Sequence, residues 1–242
     1  MAITWLSKID TAFFPLVGEA YEDGLLAAGG DLSEVRLLNA YRRGIFPWFN
    51  KNDPILWWSP DPRLVLWTDQ IKLSKSLKKT IRNTVITVTF DQAFNQVITA
   101  CSQPRQEGDD PENSTWIHPD MITAYNNLHQ QGHAHSVECW LDGQLVGGLY
   151  GVAIGQVFFG ESMFSTVTDS SKLALVVLCQ QLQRWGIPLI DCQVYSDHLA
   201  SLGAEQMARS DFIEQLDQLC LQRPRISCPG LWSLASDLPA IP

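Results

Sequence analysis

The sequence predicts an α+β fold, a sheet with helices packed against it, and three features carry that prediction. "HSVECWL", Asp142-Gly143 and "QLVGGLYGVAI" read as a β-hairpin, because Asp-Gly suits the two-residue turn between antiparallel strands. "DSSKLALVVLCQQLQRWG" reads as a long buried helix, and "PLIDCQV" after it reads as a strand. A meander followed by helix, strand and helix is a common α+β layout. With 242 residues, 45% of them hydrophobic, the chain can bury a large core. It has room for one domain, or for a small domain joined to a larger one.

In chain order, "GGDLSEVRLLNAYRRG" begins with a glycine turn. It offers Asp31 or Ser33 as a helix N-cap and Gly44 as a left-handed stop. An aromatic loop follows, with Phe46, Trp48, Phe49, Trp57 and Trp58. Pro47, Pro54, Pro60 and Pro62 exclude regular structure from much of it. Such a loop either packs one domain on another or walls a cleft, a place where Trp is favoured.

Residues 71–82, "IKLSKSLKKTIR", form an amphipathic helix with Leu73, Leu77 and Ile81 as its apolar stripe. Lys72, Lys75, Lys78, Lys79 and Arg82 occupy the rest of the circumference, and no acid accompanies them. Five of the chain's 17 basic residues are gathered here, in a protein of formal charge −9. The overall charge argues against indiscriminate binding to nucleic acid, so a purely basic helix points to a local docking face for a polyanion. Residues 84–90 alternate as a strand, 102–115 read as a mobile polar loop, and 121–130 as a helix. "HSVECWL" and its return strand come next, then "QVFFG" as a further strand. The long helix is capped by Asp169 or Ser170 and closed by Gly186, and a short helix begins near Asp197.

Several function classes are excluded. The most apolar long run, 145–160, is interrupted by five glycines and Gln156, whereas a membrane span needs about 20 largely apolar residues. The N-terminus lacks the basic start and apolar block of a signal peptide. Six cysteines without a CxxC pair read as reduced thiols of a cytoplasmic protein, with no zinc site. His129, His133 and His135 straddle a helix end and a turn, and are expected at the surface rather than on a metal. No P-loop or GxGxxG follows any predicted strand.

The strand "PLIDCQV" holds the chemistry. Alternation puts Asp191 and Gln193 on one face and turns Cys192 to the core as an inert thiol. A buried carboxylate and amide without partners would cost a few kcal/mol, so the pair is expected to face a cleft.

The order of strand, loop and helix over 156–180 resembles the acetyl-coenzyme A-dependent acetyltransferases. The corresponding loop, "ESMFSTVTDSSK", has none of the glycines that would cradle a pyrophosphate. A more specific resemblance rests on "GGDLSEVRLLNAYRRGIFPWF", "WWSPDPR", "HAHSVECW", "GESMFS", "IDCQV" and "ASLGA", in that order over residues 24–212. Together these look like the leucyl/phenylalanyl-tRNA–protein transferase family.

The resemblance implies a small N-terminal domain, residues 1–65, and an acetyltransferase-like domain, 66–242, with a mostly antiparallel sheet. It implies transfer of leucine, phenylalanine or methionine from aminoacyl-tRNA to proteins beginning with Arg or Lys, marking them for degradation. It also implies a cytoplasmic monomer without cofactor, metal or membrane. Residue by residue, Trp48 and Trp116 match the aminoacyl-adenosine site. Leu149, Phe158, Leu175, Leu178 and Ile190 match the amino-acid pocket. Asp191 and Gln193 match the catalytic pair, and Glu161 matches an active-site acid that either meets the acceptor or holds the loop. Lys72, Lys75, Lys78, Lys79 and Arg82 fall in the basic cluster that meets tRNA. Leu178 and Leu182 stand where some members carry aromatic residues.

The expected chemistry is aminolysis of an ester. Gln193 accepts a hydrogen bond from the attacking amine, and Asp191 orients Gln193 by accepting from its side-chain amide. Two rival readings are a coenzyme A-dependent N-acetyltransferase and a non-catalytic RNA-binding module. The glycine-free loop opposes the first, and the second leaves Asp191 and Gln193 unexplained.

Overall fold

Two sheets divide the chain, and a computed structural model describes them over residues 3–103, 115–224 and 232–233. The expected loop at 102–115 therefore falls almost wholly outside the described residues. The smaller sheet contains β1 (Thr4–Leu6), β2 (Leu25–Gly29), β3 (Phe46–Pro47) and β4 (Leu56–Trp58), in the order β1-β2-β4-β3. Helix α1 (Glu34–Arg42) crosses between β2 and β3. It begins at Ser33, whose Oγ accepts from the Arg36 N–H at 3.4 Å, so the cap is Ser33 rather than Asp31. It ends before Gly44, where φ is +70° and a Cβ would stand 2.7 Å from Ile213. Glycine takes this conformation without strain, and any other residue would also have to push the Ile213 side chain aside. The aromatic loop holds the two short strands β3 and β4, which its prolines had hidden.

The larger sheet begins at β5 (Arg63–Trp67). It adds β6 (Thr87–Phe90), β7 (Ala134–Leu141), β8 (Gln144–Ile154), β9 (Val157–Ser165), β10 (Leu189–Gln193) and β11 (Glu205–Met207). Their order is β11-β5-β10-β9-β8-β7-β6, antiparallel throughout except for the parallel pair β9–β10. Parallel neighbours need a crossover, and α5 (Ser170–Trp185) supplies it, closing at Gly186 with φ +74°. The β7–β8 hairpin turns at Asp142 (φ +52°) and Gly143 (φ +76°), as the Asp-Gly pair predicts.

Helices cover both faces of this sheet. On one side α3 (Phe94–Cys101), α4 (Pro119–Gln130) and α7 (Arg209–Leu219) share an apolar layer with α1 and the smaller sheet. On the other, α5 and α2 (Lys75–Asn83) form a second layer, with α6 (Asp197–Ser201) at its margin. Strands β1, β2, β5 and β11 and helices α3 and α7 were not read from sequence. Helix α3 starts at Ala93 without a side-chain cap, and β11 is three residues of mostly polar sequence.

Other expectations are corrected. Helix α2 starts at Lys75 because Ser74 caps it, accepting from the Leu77 N–H at 3.1 Å, so Lys72 and Leu73 precede the helix. The strand expected from 84 begins at Thr87. Strand β9 runs on through "ESMFS", leaving only a short connection before α5 rather than the long loop expected. Val194 lies beyond β10 and is exposed.

Candidate active site

The parallel strands β9 and β10 pair only from Leu189↔Val157 to Asp191↔Phe159. Past that point β9 continues to Ser165 while β10 ends at Gln193, and both carry bulges. Tyr150 pairs with Ser162 and Gly151 with Gly160, so Glu161 is the extra residue of β9. Asp191 pairs with Val65 and Gln193 with Leu64, so Cys192 is the extra residue of β10. A bulge re-aims side chains and is enriched beside active sites. These two lie side by side where the strands part.

A cleft of about 940 Å³ opens there. Trp48 and Trp116 stand on its walls, the first on the loop after β3 and the second just ahead of α4. Trp48 is held at its carbonyl by Trp58 Nε1 at 2.6 Å, with the two rings 5.6 Å apart. Leu149, Phe158, Leu175, Leu178 and Ile190 line the apolar recess, and all are buried. Of the two leucines singled out for pocket shape, Leu178 lines the cleft, whereas Leu182 is in the apolar layer behind it.

Glu161 and Gln193 both reach the cleft, and they bond each other. Gln193 Nε2 donates to Glu161 Oε1 at 2.8 Å. The other donors to Glu161 are two buried phenols, Tyr41 Oη at 2.8 Å and Tyr125 Oη at 2.9 Å, which also touch one another. Burial pushes the Glu161 carboxyl up to about 7, against the lowering effect of these three hydrogen bonds.

Asp191 is placed differently from the sequence expectation. It is fully buried and does not line the cleft. Arg63 grips it in a fork, Nε to Oδ1 at 2.8 Å and Nη2 to Oδ2 at 2.7 Å. The remaining Arg63 nitrogen donates to the Gly44 carbonyl at 3.1 Å, and the guanidinium lies over Phe46 and Phe212. Asp191 Oδ1 accepts from the backbone N–H of Gln193 at 2.9 Å. Asp191 thus holds the main chain of Gln193, and Glu161, not Asp191, takes its side-chain amide. Asp191 and Gln193 do not share a face, because the extra residue Cys192 interrupts the alternation.

Cys192 is half-buried: it packs against the apolar layer, as expected, and also borders the cleft. Burial and the Asp191 charge hold its thiol well above the usual range, so it stays protonated and is no nucleophile. His135 is buried, with Nδ1 2.8 Å from Asp91 Oδ2, which corrects its expected surface position. His129 meets the Ala134 carbonyl and His133 faces Glu34. Among the described residues no group of three or more His, Cys, Asp or Glu could hold a metal ion.

Sequence reading missed Tyr41, Tyr125 and Arg63. A buried phenol or guanidinium needs a partner, so a tyrosine in an apolar helix stripe was the available signal for the first two.

The connection before α5 offers little to a pyrophosphate. The N–H groups of Thr166, Val167 and Ser170 already donate to the Val146 and Val167 carbonyls. The basic residues lie elsewhere on the molecule. Lys75, Lys78, Lys79 and Arg82 are exposed on α2, with Lys72 exposed just before it. None takes part in an ion pair among the described residues. Leu77 and Ile81 seat α2 in the same apolar layer as Leu175, Leu178 and Ile190. The basic surface and the recess therefore share one side of the sheet.

Fold and site define a cleft with a buried polar cluster at its floor, and the protein's class and family follow from comparison with known proteins. The family profile described as "Leucyl/phenylalanyl-tRNA protein transferase" matches residues 65–217, and the profile of that family's N-terminal domain matches 30–61. A leucyl/phenylalanyl-tRNA–protein transferase of Nitrosomonas europaea is 56% identical over 211 residues, 87% of this chain and 88% of its own. One from Hydrogenovibrio crunogenus is 52% identical over 234 residues, 96% of this chain and 89% of its own. Among solved structures, a GCN5-related N-acetyltransferase from Kribbella flavida aligns at TM-score 0.35 and 14% identity, over 71% of this chain and 60% of its own. The chain belongs to the leucyl/phenylalanyl-tRNA–protein transferase family. Among the described residues no helix is long and apolar enough to cross a membrane.

Proposed function

We propose that the cleft receives the aminoacyl-adenosine end of leucyl- or phenylalanyl-tRNA and passes the amino acid to the N-terminal α-amine of proteins beginning with Arg or Lys. The observation that carries this reading is the Gln193 amide. With its nitrogen committed to Glu161, the amide oxygen is the group offered to an incoming amine.

The amine nitrogen attacks the ester carbonyl, the bond from that carbon to the ribose oxygen breaks, and a peptide bond replaces it. The ribose leaves as a hydroxyl, which accounts for one proton lost by the amine. Little activation is demanded, since an α-amine has an unperturbed pKa of about 7.7–8.0. Alignment supplies most of the acceleration, and good alignment can be worth about 7–11 kcal/mol. Gln193 accepts a hydrogen bond from the amine and so fixes its lone pair on the carbonyl. An amide is too weak a base to remove the proton outright.

The recess selects by shape, where one methylene is worth about 1–3 kcal/mol. Unbranched Cβ side chains enter it, and Leu178 in place of an aromatic ring leaves leucine accepted at least as well as phenylalanine, with methionine also admitted. Glu161 is the one carboxylate among the described residues that line the cleft. Tyr41, Tyr125 and Gln193 already occupy its oxygens, so its ionised fraction, which grows as pH rises past about 7, favours a cationic acceptor through charge rather than by direct contact. The basic face of α2 guides the tRNA to the recess on its own side of the sheet. A reaction that consumes charged tRNA belongs in the cytoplasm, and a new N-terminal leucine is a mark for degradation.

The test supplies leucyl-tRNA with peptides that begin with Arg, Lys or Ala. Transfer confined to the Arg and Lys peptides is expected. Equal transfer to the Ala peptide would overturn the acceptor assignment.

A further inference from the structure

Trp232 lies beyond residues 65–217, the span that matches the family profile, and it is buried to 4% exposure. Its backbone N–H donates to Asp91 Oδ2 at 2.6 Å, the oxygen that also meets His135 Nδ1. Its indole stacks on His135 at 3.7 Å with the rings 6° from parallel, and meets Trp185 at 4.8 Å. Such a seat fixes the ring in position as well as in depth. The same indole stands 5.9 Å from the ring of Phe158, centroid to centroid. Phe158 is a wall of the cleft, and Trp232 is not.

A second contact bounds Phe158. The ring lies so close to Gly151 that a Cβ there would come within 2.7 Å of it. With the backbone of β8 against one part of the ring and the indole of Trp232 against another, Phe158 has little room to retreat. Close-packed interiors transmit a change of this kind, because a void behind a wall lets the wall move into it.

We propose that Trp232 is a specificity-determining residue that acts through Phe158, holding it forward and so limiting the depth of the amino-acid recess. The inference rests on the reading that this recess takes the transferred side chain. With the indole removed, Phe158 settles back and the larger side chain gains more than the smaller one.

The experiment measures kcat/KM for phenylalanyl- and leucyl-tRNA with one Arg-initiated peptide, in the full-length protein. Trp232→Ala is expected to raise the phenylalanine-to-leucine ratio about tenfold, the scale of a methylene-sized change in a pocket. The KM for the peptide is expected to stay unchanged, and Trp232→Phe to restore most of the original ratio. If Trp232→Ala does not fold, Trp232→Leu reads the same ratio. Phe158→Leu is the direct control on the recess. A shift with Phe158→Leu and none with a folded Trp232 variant overturns the inference alone. A proportional loss for both tRNAs in the Trp232 variant overturns it too, since that reports stability only. No shift in either variant removes the pocket reading and the inference with it.

Discussion

Gln193 carries φ +65°, a left-handed backbone rarely adopted by a residue with a side chain. Such a conformation costs about 1–3 kcal/mol and persists only where its surroundings enforce it. Here Asp191 Oδ1 holds the Gln193 N–H at 2.9 Å, and Glu161 holds the side chain at 2.8 Å. The strained residue is the one that lines the cleft and donates its amide N–H to Glu161. The burial of Glu161, not its hydrogen bonds, weakens its acidity. Burial raises its carboxyl from the ordinary 4.5 to about 7, so between those values the folded protein keeps a proton the unfolded chain has released. Its contribution to stability therefore falls as pH rises through that window and is level above it. Chemical denaturation from about pH 5 to about pH 8 checks the sign: Glu161→Gln should remove this downward slope. A slope unchanged in the variant would mean that another group causes it.

The two bulges are the elements that make the site. Without Glu161 as the extra residue of β9 and Cys192 as that of β10, strict alternation would aim these side chains elsewhere. On α2, the proposed docking of tRNA rests on the clustering of its basic side chains. Neutralising Lys75, Lys78 and Lys79 should weaken tRNA binding and flatten its salt dependence. The log–log slope should drop by about 0.9 for each duplex phosphate that is no longer neutralised. An unchanged slope would place the tRNA on another surface. This helix was legible because Leu77 and Ile81 recur at helical spacing among lysines, and the β7–β8 hairpin because Asp142-Gly143 fits its turn. The bulge at Cys192 was not legible. It is defined by pairing with β5, a strand hidden behind the prolines at 60 and 62, and no periodicity within "LIDCQ" reveals it. The roles of Tyr41 and Tyr125 were hidden for a related reason. Each looks like core from its own helix, and only the tertiary fold brings both phenols to Glu161.

At the scale of the molecule, one polar chain joins the two sheets through the site. The Gly44 carbonyl, where α1 ends, meets Arg63 at the start of β5; Arg63 holds Asp191, and Asp191 holds Gln193. From Gln193 the chain passes to Glu161 and returns to α1 through Tyr41. The glycine stop and the tyrosine of one helix thus brace the amide from both ends. Removing one partner of a buried ion pair costs about 3–5 kcal/mol, so replacing Asp191 or Arg63 mixes loss of fold with loss of chemistry. Gln193 has no such burden, and it separates the two. The decisive measurement compares single-turnover transfer of leucine with leucyl-tRNA affinity in Gln193→Ala. A large fall in transfer rate with affinity nearly unchanged is expected. An equal loss in both would contradict it.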